Sequence, residues 1–143
     1  MDIQPLTNAD VSGLLALWQT TEGLTLRDVD TPGAIERYLE RNPGFSFAAW
    51  VGGVLVGGVL CGHDGRRGYL HHLAVHPDHR RRGIGRALVH ACLNSLAVVG
   101  IDKCHLFVRT DNPDARAFWQ HLGWQQRADI EVFSFISSGR PGA

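Results

Sequence analysis

Apolar and polar positions along the chain change period several times, and each change marks a new element. Ile3 to Leu6 reads as a short strand. Thr7 with Asp10 three residues later resembles a capping box, after which Val11, Leu14, Leu15 and Trp18 recur at helical spacing. A polar stretch, Thr20 to Asp30, separates this helix from a second. Thr31-Pro32 opens the second, Ile35, Tyr38 and Leu39 mark its face, and it ends near Asn42-Pro43-Gly44. The period then falls to two. Phe45, Phe47, Ala49 and Val51 alternate with Ser46, Ala48 and Trp50; Gly52-Gly53 is a hairpin signal; Val54 to Cys61 returns as a buried strand. After the polar turn 62–68, Tyr69 to Val75 completes a meander of three antiparallel strands.

From His76 the order changes. His76-Pro77-Asp78 ends the strand, Arg80 to Arg82 is basic, and Gly83 begins a helix. Ile84, Ala87, Leu88, Ala91 and Leu96 supply its buried face and Gly100 ends it. Cys104, Leu106 and Val108 alternate in a strand expected over Lys103 to Arg109. Asn112-Pro113-Asp114 starts a further helix, with Ala115, Phe118, Trp119 and Leu122 on its apolar face and Gly123 at its end. Trp124 to Ile136 alternates well enough for one or two more strands. These elements predict an α+β fold in one domain, residues 1–143, with one mixed sheet and one core.

Composition narrows the function. Lys plus Arg and Asp plus Glu are both 14, so the formal net charge is zero. A neutral chain does not depend on global attraction to nucleic acid or to a membrane surface, so any anion site must be local. Neither partner is expected. No stretch reads as a membrane span or a signal peptide, and the expected location is the cytoplasm. Cys61, Cys92 and Cys104 are odd in number and widely spaced, which suggests reduced packing residues. His76-x-x-His79 with Asp78 falls in a proline turn rather than on a ligand-presenting helix and has no cysteine beside it, so no metal is expected.

The local anion site is written in Tyr69 to Arg86. Here a strand runs through a glycine-containing loop directly into a helix. The first turn of a helix has unpaired N–H groups and the positive end of the dipole. Gly83 and Gly85 let backbone approach an oxyanion closely. Arg80, Arg81, Arg82 and Arg86 disfavour the dipole unless an anion joins them. A diphosphate is the expected guest. The loop has neither the Gly-Lys-Ser/Thr end of a Walker loop nor G-x-G-x-x-G.

Arg80-x-x-Gly83-x-Gly85 resembles the R/Q-x-x-G-x-G/A signature of the GNAT superfamily of N-acetyltransferases, and Leu73-Ala74-Val75-His76-Pro77 resembles its central strand. Asn112-x-x-Ala115-x-x-Phe118-Trp119-x-x-x-Gly123-Trp124 is similar to its second signature. The resemblance covers nearly the whole chain. It implies a GNAT-like fold, with a mostly antiparallel mixed sheet, about four flanking helices and a splayed parallel strand pair. It implies acetyl-coenzyme A as co-substrate and a primary amine, on a small molecule or a peptide, as acceptor. It assigns cofactor contacts to Leu73, Ala74, Val75, Arg80, Arg81, Arg82, Gly83, Ile84, Gly85, Arg86, Asn112, Phe118 and Trp119, with the Val75 amide as oxyanion donor. A simple helix cap is the competing reading of Asn112. Family members that dimerise are common, so a homodimer stays open.

Direct attack by an amine on a thioester needs a base on the acceptor side of the central strand. Strict alternation places Tyr69, His71, Leu73 and Val75 on one side and Leu70, His72 and Ala74 on the other. The strand resembles that of serotonin-type members, which carry histidines at the positions matching Tyr69 and His71; the resemblance makes His71 the candidate base, directly or through water, with an ordinary imidazole pKa near ~6.5. Trp119 stands where the family pattern has tyrosine. Its indole N–H gives a hydrogen bond but no usable proton, so water or Tyr69 is expected to serve the departing thiolate. A non-catalytic acyl-coenzyme A sensor of the same fold is the alternative this substitution raises. Trp18, Glu22 and Asp28, with Asp30 beside them, are candidates for the acceptor pocket.

Overall fold

A computed structural model describes residues 1–143. Its sheet has five strands, β1 (Asp2–Pro5), β2 (Phe47–Val51), β3 (Val54–His63), β4 (Gly68–Val75) and β5 (Cys104–His105), in that spatial order. The first four pair antiparallel; β4 and β5 run parallel through only two registered pairs, Gly68 with Cys104 and Tyr69 with His105. Helices α1 (Val11–Gln19) and α2 (Pro32–Arg41) cover one face, and α3 (Ile84–Val98) covers the other. Helix α4 (Pro113–His121) follows β5.

Local chemistry explains each boundary. The Thr7 N–H donates to Asp10 Oδ2 at 3.0 Å ahead of α1, and Thr31 Oγ1 accepts the Ala34 N–H at the start of α2. Apolar stripes then dock the helices. Leu14, Leu17, Trp18, Ile35 and Leu39 meet Ala48, Leu60 and Ala74 on one side of the sheet. Ile84, Leu88, Val89, Cys92 and Leu96 meet Ala49, Val56, Val59, Cys61 and Leu70 on the other. With both faces covered, β3 is buried from Val56 to Gly62, which is why its sequence is almost continuously apolar.

One polar side chain holds the meander's end. Ser46 is 2% exposed; its hydroxyl accepts the Cys61 N–H at 2.8 Å and donates to the Cys61 carbonyl at 3.2 Å. Ser46→Ala leaves both backbone groups buried and unpaired, each at about 1–3 kcal/mol. A loss of roughly 2–6 kcal/mol is expected in urea unfolding, with the slope of the transition unchanged.

Two expectations fail at the carboxyl end. The strand expected over Lys103 to Arg109 shrinks to two residues, and 124–136 forms no strand. Phe133 and Phe135 lie 89% and 92% exposed. Alternation supplies two faces but not the hydrogen-bond ladder that makes a strand, and no neighbouring edge reaches this segment.

Candidate active site

The site begins where β4 leaves β5. Only Gly68 and Tyr69 of the eight β4 residues are registered with β5, so Leu70 to Val75 continue along an edge that β5 does not pair. The His76 N–H donates to the Val56 carbonyl on β3 at 2.7 Å. The planar peptide therefore turns the Val75 carbonyl away from β3, and the Val75 N–H shares that direction. That carbonyl accepts Arg80 Nε at 3.0 Å, which folds the loop back against the strand. The Val75 N–H is left pointing into the open edge.

The loop that follows is shaped for an anion. Residues 77–79 form a single 3-10 turn, and α3 starts at Ile84 after Gly83 at φ 78°. Arg81 is also left-handed, at φ 64°. Left-handed residues in such a turn let neighbouring N–H groups face one concavity. None of the N–H groups from Arg81 to Arg86 has a backbone or side-chain acceptor; the first amide bonded back is Ala87, to the Gly83 carbonyl. No acidic residue occupies the first turn of α3, and none of the four arginines is in an ion pair. A Cβ on Gly83 would meet nothing within 4 Å, so the helix end is open to solvent. Phe118 flanks it, close enough that a Cβ on Gly85 would lie 3.2 Å from its ring.

The other expected contacts are distributed unevenly. Leu73 reaches toward Gly85 and packs with the α3-side core, so its side chain is on the loop's side of the sheet. Ala74 points the opposite way, buried beneath α1, and offers the site only its backbone. Asn112 caps α4, its Oδ1 accepting the Ala115 N–H at 3.1 Å. Trp119 packs against Phe118, Trp124 and the α3-side core, so it is a packing residue whatever else it touches. The Tyr69 ring stands beside His105 at 5.8 Å.

Strict alternation on β4 is wrong. Gly58 opposes Ala74 and Leu60 opposes His71, two steps on β3 against three on β4, so β4 carries a one-residue bulge. His72 sits at that bulge with φ 54°. His71, His72 and Ala74 consequently all face the side covered by α1 and α2, whereas Leu73 and Val75 face α3. His71 lies 6.1 Å from the Tyr38 ring, and burial pushes its pKa below the ordinary imidazole value, with a smaller push from His72. His72, set aside by alternation, bonds through Nε2 to Asp30 Oδ1 at 3.0 Å and meets the Trp18 ring edge-on at 4.9 Å.

The acceptor-pocket candidates lie in the same region with different surroundings. Trp18 is 2% exposed, a core residue that reaches the site only by walling His72. Asp28 is bonded to Arg140 at 2.7 Å, so its charge is already matched. Glu22 is exposed with no partner. The buried acid is Asp30. No sequence signal marks the bulge, because no glycine stands there; the sole hint to Asp30 is its place just before the Thr31-Pro32 helix start. Neither Cys92 nor Cys104 is a nucleophile at neutral pH: burial pushes Cys104 up to about 12, and a hydrogen bond with Cys61 plus burial raise Cys92.

The sequence pattern of the Acetyltransferase (GNAT) family matches residues 14–124, from α1 through the end of α4. The chain belongs to the GNAT acetyltransferase family. As a member of it, it is an N-acetyltransferase, an enzyme of acyl transfer. It is 36% identical to an acetyltransferase of Pectobacterium atrosepticum over 98% of this chain and 94% of that one, and 33% identical to one of Sodalis glossinidius over 91% of each. Among solved structures, it is similar to Ard1 from Thermoplasma volcanium, with TM-score 0.77 and 24% identity over 89% of this chain and 84% of that one. It is similar also to the PaiA N-acetyltransferase of Thermoplasma acidophilum in complex with coenzyme A, with TM-score 0.78 and 17% identity over 91% and 94%. These two likenesses establish the fold. No helix is long and apolar enough to cross a membrane.

Proposed function

We propose that this GNAT enzyme binds acetyl-coenzyme A at the Arg80–Arg86 loop and moves the acetyl group to a primary amine by direct attack in a ternary complex. The observation that carries this is the row of unpartnered N–H groups from Arg81 to Arg86, ringed by unpaired arginines. Such a helix end is charge-mismatched until a pyrophosphate completes it. The unpaired edge of β4 gives the pantetheine arm a backbone to bond, and Phe118 gives it an apolar wall.

The chemistry follows from the two sides of β4. The acceptor approaches from the α1–α2 side, where the imidazoles are, and its nitrogen lone pair attacks the thioester carbonyl carbon. The carbonyl electron pair moves onto oxygen, where the Val75 N–H on the open edge donates to it. Collapse breaks the carbon–sulfur bond and releases the coenzyme A thiol. A thiolate with a pKa near ~8.5 is a tolerable leaving group, so Trp119 in place of a tyrosine acid does not stop the reaction.

The acceptor is a small-molecule or peptide amine. Both classes occur among structural relatives: a ribosomal-protein-alanine N-acetyltransferase of Brucella melitensis and an aminoglycoside acetyltransferase in complex with sisomicin. Calorimetry with acetyl-coenzyme A is expected to show one site per chain. Thiol release with sisomicin and with an alanyl peptide then separates the two acceptor classes. Absence of any heat with acetyl- or free coenzyme A, on folded protein, overturns the proposal.

A further inference from the structure

We propose that His72 is the base that takes the acceptor amine's proton and that Asp30 is the residue that positions it. This rests on the acetyl-transfer reading above and adds the group that moves the proton.

The pair is built to hold one tautomer. The Asp30 side chain is 5% exposed, and its second oxygen accepts the Arg27 N–H at 2.8 Å, so the carboxylate is fixed at both ends. An ionised carboxylate only accepts, so His72 Nε2 is the donor in the 3.0 Å contact. That leaves the lone pair on Nδ1, which has no protein partner. The His72 ring is 24% exposed, and Trp18 packs against it edge-on. A neutral imidazole with one nitrogen locked to a carboxylate and the other free is the arrangement a general base requires.

The backbone points the same way. His72 and Arg81 are the only non-glycine residues with positive φ, and Arg81 lies in the diphosphate loop. A left-handed non-glycine is strained and persists where surroundings over-determine it. Without the bulge, His72 would face α3, away from the acceptor side. His71 is already on that side and half-buried like His72, but its ring stands beside Tyr38 and no carboxylate bonds it.

In the proton balance, a bound ammonium gives one proton to His72 Nδ1 and becomes the nucleophilic amine. Attack forms the carbon–nitrogen bond, collapse breaks the carbon–sulfur bond, and the nitrogen's second proton goes to the departing thiolate. The imidazolium, stabilised by Asp30, returns its proton to solvent. The titratable groups facing the ring are Asp30 from the turn before α2 and His71 beside it on β4. Helix α1 presents Trp18, which does not titrate, and Tyr38 of α2 faces His71 with its hydroxyl held neutral by burial.

The test uses His72→Gln, which keeps a donor for Asp30 but cannot take a proton, with Asp30→Asn and His71→Gln beside it. Sisomicin and the alanyl peptide serve as acceptors. His72→Gln is expected to lower kcat by roughly 10²–10⁴ with unchanged affinity for acetyl-coenzyme A and unchanged Tm. Its rate is expected to recover as pH rises toward the acceptor's own pKa, since the amine then arrives deprotonated. Asp30→Asn is expected to lower kcat by roughly 10-fold or more, because an amide also accommodates the wrong tautomer. Imidazole nitrogen NMR reads the same pair without an acceptor: the Nε2–H tautomer is expected for His72 at neutral pH, and a mixture in Asp30→Asn. A wild-type rate in His72→Gln, a loss confined to His71→Gln, or an Nδ1–H tautomer at His72 overturns the dyad while leaving acetyl transfer standing. Failure to bind acetyl-coenzyme A overturns the underlying reading instead.

Discussion

Reversing the charge at Arg86 is expected to weaken coenzyme A binding by roughly 10²-fold while leaving the fold at least as stable as before. The two effects have opposite signs because they act on one feature. Arg86 is exposed in the first turn of α3, where the helix dipole is positive and no acidic residue balances it. A glutamate there complements the dipole and gains about 0.3–1 kcal/mol. For a bound diphosphate the same change removes one positive charge and adds one negative charge within a few ångströms. At an effective dielectric of about 20, unit charges ~4 Å apart interact by about 4 kcal/mol; the exposed position reduces this, which leaves a loss on the order of 10²-fold. Calorimetry with coenzyme A and urea unfolding of Arg86→Glu check both halves. Unchanged binding, or weaker binding accompanied by a destabilised fold, would remove Arg86 and the helix end from the account of the phosphate site.

The loop proposed to hold the diphosphate was the most legible part of the candidate site because its features are in the backbone, and backbone demands leave local marks. Gly83 is where φ must be positive, and the arginines stand together in one run. The helix starts were equally open to reading, since Thr7, Thr31 and Asn112 announce them within a few residues. The proposed proton acceptor was not legible. Strand alternation is a rule about an unbroken ladder, and a single inserted residue at His72 reverses its prediction for every residue after it. Nothing in Tyr69 to Val75 distinguishes a bulged strand from a regular one. Asp30 was hidden for another reason: its partner is 42 residues away, and an acid in a polar loop carries no sign that it will be buried. The tail misled in the opposite direction. Ile130, Val132 and Phe135 have the composition of a strand, but pairing depends on an edge elsewhere in the fold, and β5 ends at His105.

Trp18→Ala is expected to destabilise the protein by about 3–5 kcal/mol, a large fraction of the stability of an ordinary domain. Trp18 is the largest fully buried side chain and lies between α1 and the sheet among Leu14, Leu17, Ile35 and Ala74. Its removal empties space that rigid neighbours on a helix and a strand cannot refill, so the cavity cost adds to the lost transfer energy. Trp18→Phe behaves differently. The indole Nε1 is buried without a hydrogen-bond partner, a group whose desolvation costs about 1–3 kcal/mol. Phenylalanine removes that penalty while keeping an aromatic ring against His72, so its net cost is expected to be well below that of alanine. Urea unfolding of the two variants, with kcat on the folded samples, separates the ring's packing from its contact with the dyad. If Trp18→Phe proved as damaging as Trp18→Ala, the indole N–H would have to have a partner, and the packing around His72 would differ from the one described.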